Sequence, residues 1–406
     1  MQYIKFENFI NSTQYGYTAE TTSPISGDAK YLRITDIVPY FVEKDRVPYC
    51  AIDASKVNKY LVHDGDVLIA RTGATTGYNL VVDDSFKNYV FASYLIRFNY
   101  DRKKLHPRYL KYVLKSPSWY GFVNNYIGGS AQPGMNARVF GKYYLPYTDF
   151  STQQKIASIL SAYDSLIENN KKRIKLLEQM AEDLYKEWFV RFRFPGHETA
   201  EFEGGAPKGW KKVELNSILS KITTGLNPRK NFVLGQGSNY YVTIKNMSDN
   251  TIFLDEKCDK IDDEAITIIN KRSDLQTGDI LFSGIGTIGR VYLIDIPTHN
   301  WNVSESVFTL RANNQISKEY LYSLLLSNDF QNYCQLHSQG AAQLGIRMAE
   351  LKSFKFALPD ERIIKLFTDK ITHLLQFVSS LRRNNRLLTT QRDLLLPRLL
   401  SGKLSI

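Results

Sequence analysis

Two long stretches of the chain carry apolar residues at alternating steps of three and four positions. The first runs over 156–188 with one polar member, Asn170, and the second runs over 364–399 with Asn385 and Arg392 in its series. A period of 3.5 residues is typical of helices that pair as a coiled coil, in which one buried amide can fix the register. We predict two long helices that pack against each other in antiparallel fashion. The predicted contact positions are Ile156, Leu160, Tyr163, Ile167, Asn170, Ile174, Leu177, Ala181, Leu184 and Trp188 in the first helix, and Ile364, Phe367, Ile371, Leu374, Val378, Leu381, Asn385, Leu388, Leu395 and Leu399 in the second.

The rest of the chain has a mixed pattern. Short β-branched and aromatic runs at 66–70, 89–97 and 306–311 predict strands, and the apolar spacing at 107–114 and 318–325 predicts helices. Gly-rich turns separate these runs. The pattern favours two compact α+β domains that are joined by the two long helices.

The two mixed regions are copies of each other. Tyr31-Leu-Arg-Ile-Thr-Asp-Ile37 returns as Tyr241-Val-Thr-Ile-Lys-Asn-Met247, and Gly65-Asp66 returns as Gly278-Asp279. Leu145-Pro146 is matched with Leu358-Pro359, and the lag stays between 210 and 213. A tandem repeat whose copies differ in detail suits a two-headed binder. We place the first domain at 1–148, the central helix at 149–194 with Ser151 and Gln154 as its capping box, a linker at 195–207, the second domain at 208–357 and the last helix at 358–406.

Composition narrows the class of protein. The 406 residues carry a net charge of +11, which is compatible with a polyanionic partner or simply with a basic protein. Neither a membrane-spanning apolar run nor a secretory signal is visible, so we expect a cytoplasmic protein. The three cysteines are far apart and suggest neither a disulfide framework nor a zinc site.

A search for catalytic motifs finds little. The match Gly284-Ile-Gly-Thr-Ile-Gly289 to a dinucleotide fingerprint is followed by a strand-like run instead of a helix, so we interpret it as a turn between strands. No phosphate-binding loop occurs, and the six histidines are scattered singly. Asp360-Glu361 suits a helix N-terminus. We predict no catalytic residue, no metal site and no cofactor in this chain.

Basic and amide side chains in the turns are the candidate DNA contacts. Arg and Gln have forked donors and acceptors that match base edges in the major groove. The candidates, paired between the two copies, are Arg33 with Lys245, Arg71 with Arg290, Gln132 with Gln343, and Arg138 with Arg347.

The arrangement resembles the DNA-specificity subunit of Type I restriction-modification systems. The local matches are Leu145-Pro146 with Gln153-Gln-Lys-Ile156, the run 188–196, the Pro207-Lys-Gly-Trp210 entry to the second half and the terminal run 394–402. The second copy departs from the pattern, because Asp360-Glu-Arg-Ile363 replaces the usual Gln-Gln.

The resemblance implies that each domain reads one half of a bipartite, asymmetric site in double-stranded DNA. The helices would dock two methyltransferase subunits, which bind S-adenosylmethionine, and motor-nuclease subunits would join for restriction. A helix over 156–188 is ~50 Å long at 1.5 Å per residue, so we expect half-sites about one DNA turn apart. Two alternatives stay open at this point: a two-headed scaffold that binds protein and, less favoured, an enzyme.

Overall fold

The computed structural model of the chain describes residues 1–22, 29–127, 134–248, 250–340, 344–404 and 406. These residues divide into two compact units, the first formed by 1–169 with 384–406 and the second by 170–383. Each long helix therefore contributes one part to each unit. No helix within the described residues is long and apolar enough to cross a membrane.

The first domain contains two four-stranded sheets and an outer strand pair. One sheet is antiparallel throughout, in the order Ile10–Tyr15, Leu95–Tyr100, Val67–Ala70, Asn79–Val81. The other has the order Thr21–Thr22, Tyr49–Cys50, Ala29–Leu32, Tyr89–Phe91, and its last pair is parallel. The outer pair is Gln2–Lys5 with Tyr144–Tyr147, and the α-helices are Ile34–Ile37, Ala54–Tyr60, Pro107–Val113, Pro117–Ile127 and Ala137–Gly141.

The second domain repeats this frame. Its antiparallel sheet has the order Leu219–Thr224, Val307–Ala312, Ile280–Ser283, Val291–Leu293, and its mixed sheet the order Asp259–Ile261, Asn239–Val242, Trp301–Val303. Lys211–Glu214 pairs with Lys355–Leu358, and Met247–Ser248 pairs with Thr251–Ile252. The α-helices are Asp263–Asn270, Lys318–Leu326, Asn328–Leu336 and Met348–Lys352, and the linker carries the hairpin Phe202–Glu203 with Ala206–Pro207.

The central helix spans Phe150–Tyr185 and continues through one π-helical turn, Lys186–Val190. The C-terminal helix spans Glu361–Leu400. The central helix begins one residue before the predicted Ser151, because Asp149 accepts the N–H of Thr152 (3.0 Å) and caps it. Asp360 caps the C-terminal helix in the same way through the N–H of Ile363 (2.9 Å). The capping-box prediction at Ser151 is thus wrong.

The heptad pattern correctly identifies the packed sides of both helices. Every predicted contact position is buried or half-buried. In the first unit, the amide of Asn385 donates to the Ile167 carbonyl (3.4 Å), while Arg392 lies beside Asp164. Sequence numbers rise along one helix as they fall along the other, so the pair is antiparallel.

One predicted correspondence shifts by two residues. The strand Tyr144–Tyr147 is equivalent to Lys355–Leu358, because each pairs with the first strand of its domain. Leu145-Pro146 therefore lies inside its strand, whereas Leu358-Pro359 lies at the end of the second one. The caps Asp149 and Asp360 give the same lag of 211. This lag relates each domain's final strand and long helix to those of its copy.

Candidate nucleic-acid interface

A Gly-Asp turn holds the antiparallel sheet of each domain in the same way. Gly65 and Gly278 adopt φ values of 80° and 99°, which favour glycine. The aspartate that follows pairs with an arginine on a neighbouring strand, Arg97 in the first domain (3.4 Å) and Arg311 in the second (2.6 Å). The repeated motif is therefore structural, because it ties the turn before the buried strand to the neighbouring strand.

Two loops meet at the same end of each domain. In the first domain the N–H of Met135 donates to the carbonyl of Arg71 (2.9 Å). In the second domain the N–H of Ile346 donates to the carbonyl of Gly284 (2.9 Å). The loop after a buried strand is thus fastened to the segment before a short helix. Each domain presents one two-loop surface.

The first domain's two-loop surface carries an arginine and two exposed tyrosines. The guanidinium of Arg71 lies 4.9 Å from the ring centroid of Tyr15, and its backbone N–H donates to the carbonyl of Tyr94 (3.1 Å). Both tyrosines are exposed, at 46% and 57%. The Nε of Arg71 is buried without a hydrogen-bond partner among the described residues. Exposed rings offer stacking faces, and the arginine offers a forked donor.

The second domain has different side chains at the equivalent backbone positions. Thr224 ends the edge strand, Gly284 follows the buried strand, and Ser306 accepts the N–H of Gly284 (3.0 Å). A Cβ on Gly284 would lie 2.1 Å from the ring of Phe308, so a larger residue requires this ring to move. The frame is shared, but the chemistry that it presents differs between the domains.

Two of the predicted DNA contacts are used inside the protein. Arg33 forms a two-pronged pair with Asp36 (3.0 Å for both contacts) at the start of a short helix. Arg290 donates to the carbonyls of Ile244 (2.7 Å) and Met247. Both side chains fasten turns. Their pairing with DNA through the same groups would compete with these bonds.

The other predicted residues have varied positions. Lys245, Arg138 and Arg347 are exposed, the last as the residue before the helix Met348–Lys352. Gln132 and Gln343 lie outside the described residues.

The residue pairs predicted between the two copies do not occupy equivalent positions in the two domains. Thr243 forms the capping box that corresponds to that of Arg33, and Asn136 is the cap that corresponds to Arg347. Arg71 follows a strand, whereas Arg290 precedes one. Sequence reasoning also missed Tyr15 and Tyr94, although their neighbouring strands were partly visible.

The paired helices carry two matched apolar patches. Leu166 and Leu387 are exposed in the first unit, and Leu176 and Phe377 are exposed in the second. Phe377 lies 211 residues after Leu166, and Leu387 lies 211 residues after Leu176. The repeat therefore places the same kind of patch on each unit. Exposed apolar side chains at matched positions make these sites a candidate interaction surface.

Comparison with known proteins agrees with this architecture. The family model described as the Type I restriction modification DNA specificity domain matches residues 29–179 and again residues 207–384. The chain belongs to this DNA-specificity family. The domain that this model describes occurs twice in the chain, and the family is not catalytic. Within the described residues, no group of three or more His, Cys, Asp or Glu side chains could hold a metal ion.

Individual relatives match this chain over most of its length. The Type I restriction enzyme MjaIX specificity subunit of Methanocaldococcus jannaschii is 25% identical over 308 residues, covering 73% of this chain and 69% of its own length. The HindI specificity subunit of Haemophilus influenzae is 24% identical over 410 residues, covering 85% and 88%. The crystal structure of the Type I restriction-modification S subunit from M. genitalium shares the fold, with a TM-score of 0.58, 17% identity and coverage of 98% and 95%.

Proposed function

We propose that the chain is the DNA-specificity subunit of a Type I restriction-modification complex and that each domain reads one half of a bipartite target. The observation that carries this proposal is the contrast between the two-loop surfaces. Equivalent backbone positions carry Tyr15, Arg71 and Tyr94 in one domain but small residues in the other. A shared frame with different side chains at its equivalent positions is what reading two different half-sites requires.

The helices then dock the partners. Two similar apolar patches, Leu166 with Leu387 and Leu176 with Phe377, suit two copies of one partner better than two unrelated proteins. We infer that this partner is a methyltransferase subunit that binds S-adenosylmethionine and methylates adenine, and that motor-nuclease subunits join for restriction. This chain supplies recognition in the cytoplasm, and it needs no cofactor of its own.

Methylome sequencing of cells that express the complete system tests the proposal. It returns both half-sites and their gap together. Replacement of residues 1–148 by the first domain of another specificity subunit is expected to change one half-site and leave the other half-site and the gap intact. If both half-sites changed, or neither did, the assignment of one half-site to each domain would be overturned.

A further inference from the structure

A buried polar cluster fills the junction between the domain and the helices in the first unit. The carboxylate of Asp164 accepts hydrogen bonds from Lys111 (2.7 Å), Tyr112 (2.8 Å) and Arg392 (2.9 Å). The guanidinium of Arg392 also lies 3.9 Å from the ring centroid of Tyr40. The junction thus encloses a planar cation that stacks on an aromatic ring and faces a carboxylate.

The repeat identifies the equivalent positions in the second unit. A shift of 211 residues takes Lys111 to Tyr322, Tyr112 to Ser323 and Asp164 to Leu375, and it takes Arg392 back to Ala181. The residue 210 positions after Tyr40 is Asn250. All five second-unit residues line one cavity of about 410 Å³. The equivalent positions are Tyr322, Ser323, Leu375, Ala181 and Asn250.

Three of the five positions carry smaller side chains in the second unit, which leaves space where the first unit has an arginine and two tyrosines. Ala181 stands in the place of the arginine, and Ser323 in the place of a tyrosine. The helix-to-helix ion pair of the second unit is formed elsewhere, by Glu178 and Arg382, whose guanidinium also donates to the Asn250 carbonyl (2.9 Å). Both members of that pair line the cavity together with Ala181.

The residues that line the cavity indicate the chemistry of a ligand that would fit it. Leu326, Leu375 and Val378 supply an apolar surface for a ring. The charged residues in the lining are the carboxylates Glu178, Glu182, Asp295 and Glu319 and the cations Lys318, Arg382 and Arg383. Among the described residues, no ion pair neutralises Glu182, whereas Arg383 lies 4.0 Å from Asp295. A volume of about 410 Å³ falls in the range of small-molecule sites.

We propose that this cavity binds a small planar aromatic cation, in the place where the first unit buries its own guanidinium and phenol ring. The ring of the ligand would lie on the apolar surface of Leu326, Leu375 and Val378, and its cation would face Glu182. This site needs neither DNA nor partner subunits. The proposal therefore stands or fails separately from the DNA-reading function.

Benzamidine, which combines a ring with a planar cation, is the probe. Isothermal titration of the full chain is expected to show one site with a Kd of about 0.1 to 1 mM, the range open to so small a ligand. Benzyl alcohol, which lacks the cation, should bind at least about tenfold more weakly, since it can offer a carboxylate only one neutral hydrogen bond. Absence of saturable benzamidine binding would overturn the proposal.

Two variants locate the site. The double variant A181R with L375D places an arginine and an aspartate in the cavity, at the positions equivalent to Arg392 and Asp164. The variant A181L fills the cavity with an apolar side chain of modest size. Each is expected to abolish benzamidine binding. The controls M180R and M180L change the exposed neighbour and should keep the wild-type Kd. If A181L retained the native circular dichroism spectrum and the wild-type Kd, the ligand would lie elsewhere and the proposal would be wrong.

Discussion

Arg392 and Asp164 form an ion pair of 2.9 Å with side chains only 6% and 7% exposed. Arg392 occupies a position of the heptad series that an apolar residue would normally take, and its partner lies on the central helix. The pair therefore joins the end of the chain to the helix that follows the first domain.

Arg392→Ala is expected to destabilise the first unit by about 1 to 3 kcal/mol, because it removes one buried charge-assisted bond of Asp164 while Lys111 and Tyr112 still donate to this carboxylate. Urea unfolding of the full chain, followed by fluorescence, measures the effect. Arg398→Ala removes an exposed arginine from the same helix and should change stability by no more than about 0.5 kcal/mol. Equal effects of the two variants would show that the pair does not stabilise the unit.

Lys115 should make stability depend on pH in the alkaline range. Burial lowers the pKa of this amine from 10.5 to about 8, and nearby Lys111 adds to the shift. Between these two values the unfolded chain binds more protons than the folded one, so the contribution of Lys115 to stability rises with pH. Below about pH 8 both states are protonated, and the penalty for burying the charge is constant.

The measurement compares the wild type with Lys115→Met. Unfolding midpoints at pH 7.5 and pH 10 should show the wild type gaining stability relative to the variant as pH rises. Lys103→Met, at an exposed position, is the control and should give no such relative change. A constant difference between wild type and Lys115→Met would contradict the shifted pKa.

The repeat and the heptads made much of this architecture predictable, whereas the interface depended on tertiary contacts. Helix periodicity identified the buried positions because burial of one face is encoded locally. The use of Arg290 in fastening a turn was not encoded locally, since its partners Ile244 and Met247 are distant in sequence. Arg33 pairs with Asp36 only three residues further on, a local signal that sequence reasoning missed. Tyr15 and Tyr94 came together with Arg71 only through strand pairing.

Arg71→Ala should weaken discrimination between bases in one half-site by about 1 to 3 kcal/mol per base read, because it removes a forked donor beside the stacking face of Tyr15. Methylome sequencing should find added methylation at sites that differ from the target in that half only. Arg33→Ala breaks a pair inside the protein and should lower stability while the target sequence stays the same. Relaxation of both half-sites by Arg71→Ala would argue against a local contact.

Leu176→Asp with Phe377→Asp should remove one of two bound methyltransferase subunits, because charges replace the apolar patch of the second unit. Light scattering of the purified complex gives the stoichiometry. Leu394→Asp is the matched control, since the residue 211 positions earlier is Asp183 and not an apolar one. Retention of both partners by the double variant would place docking on another surface.

A seven-residue insertion in both helices, after Asn169 and before Asn384, preserves the heptad pattern and lengthens each helix by ~10 Å. If the helices act as the spacer, the gap between half-sites should grow by about three base pairs at 3.4 Å each, and both half-site sequences should remain. Sequencing of methylated sites measures the gap directly. An unchanged gap would refute the spacer role.

The division of the chain into units also sets an order of assembly. Residues 170–383 form the second unit as one continuous segment, whereas the first unit needs residues 384–406 to complete its core, where Leu396 and Leu399 pack with Ile156 and Leu160. During synthesis from the N-terminus, the first domain emerges early but must wait for the last residues of the chain. The domain that is synthesised first is therefore the last to complete its hydrophobic core. A ribosome that stalls near the end of the chain leaves that core exposed.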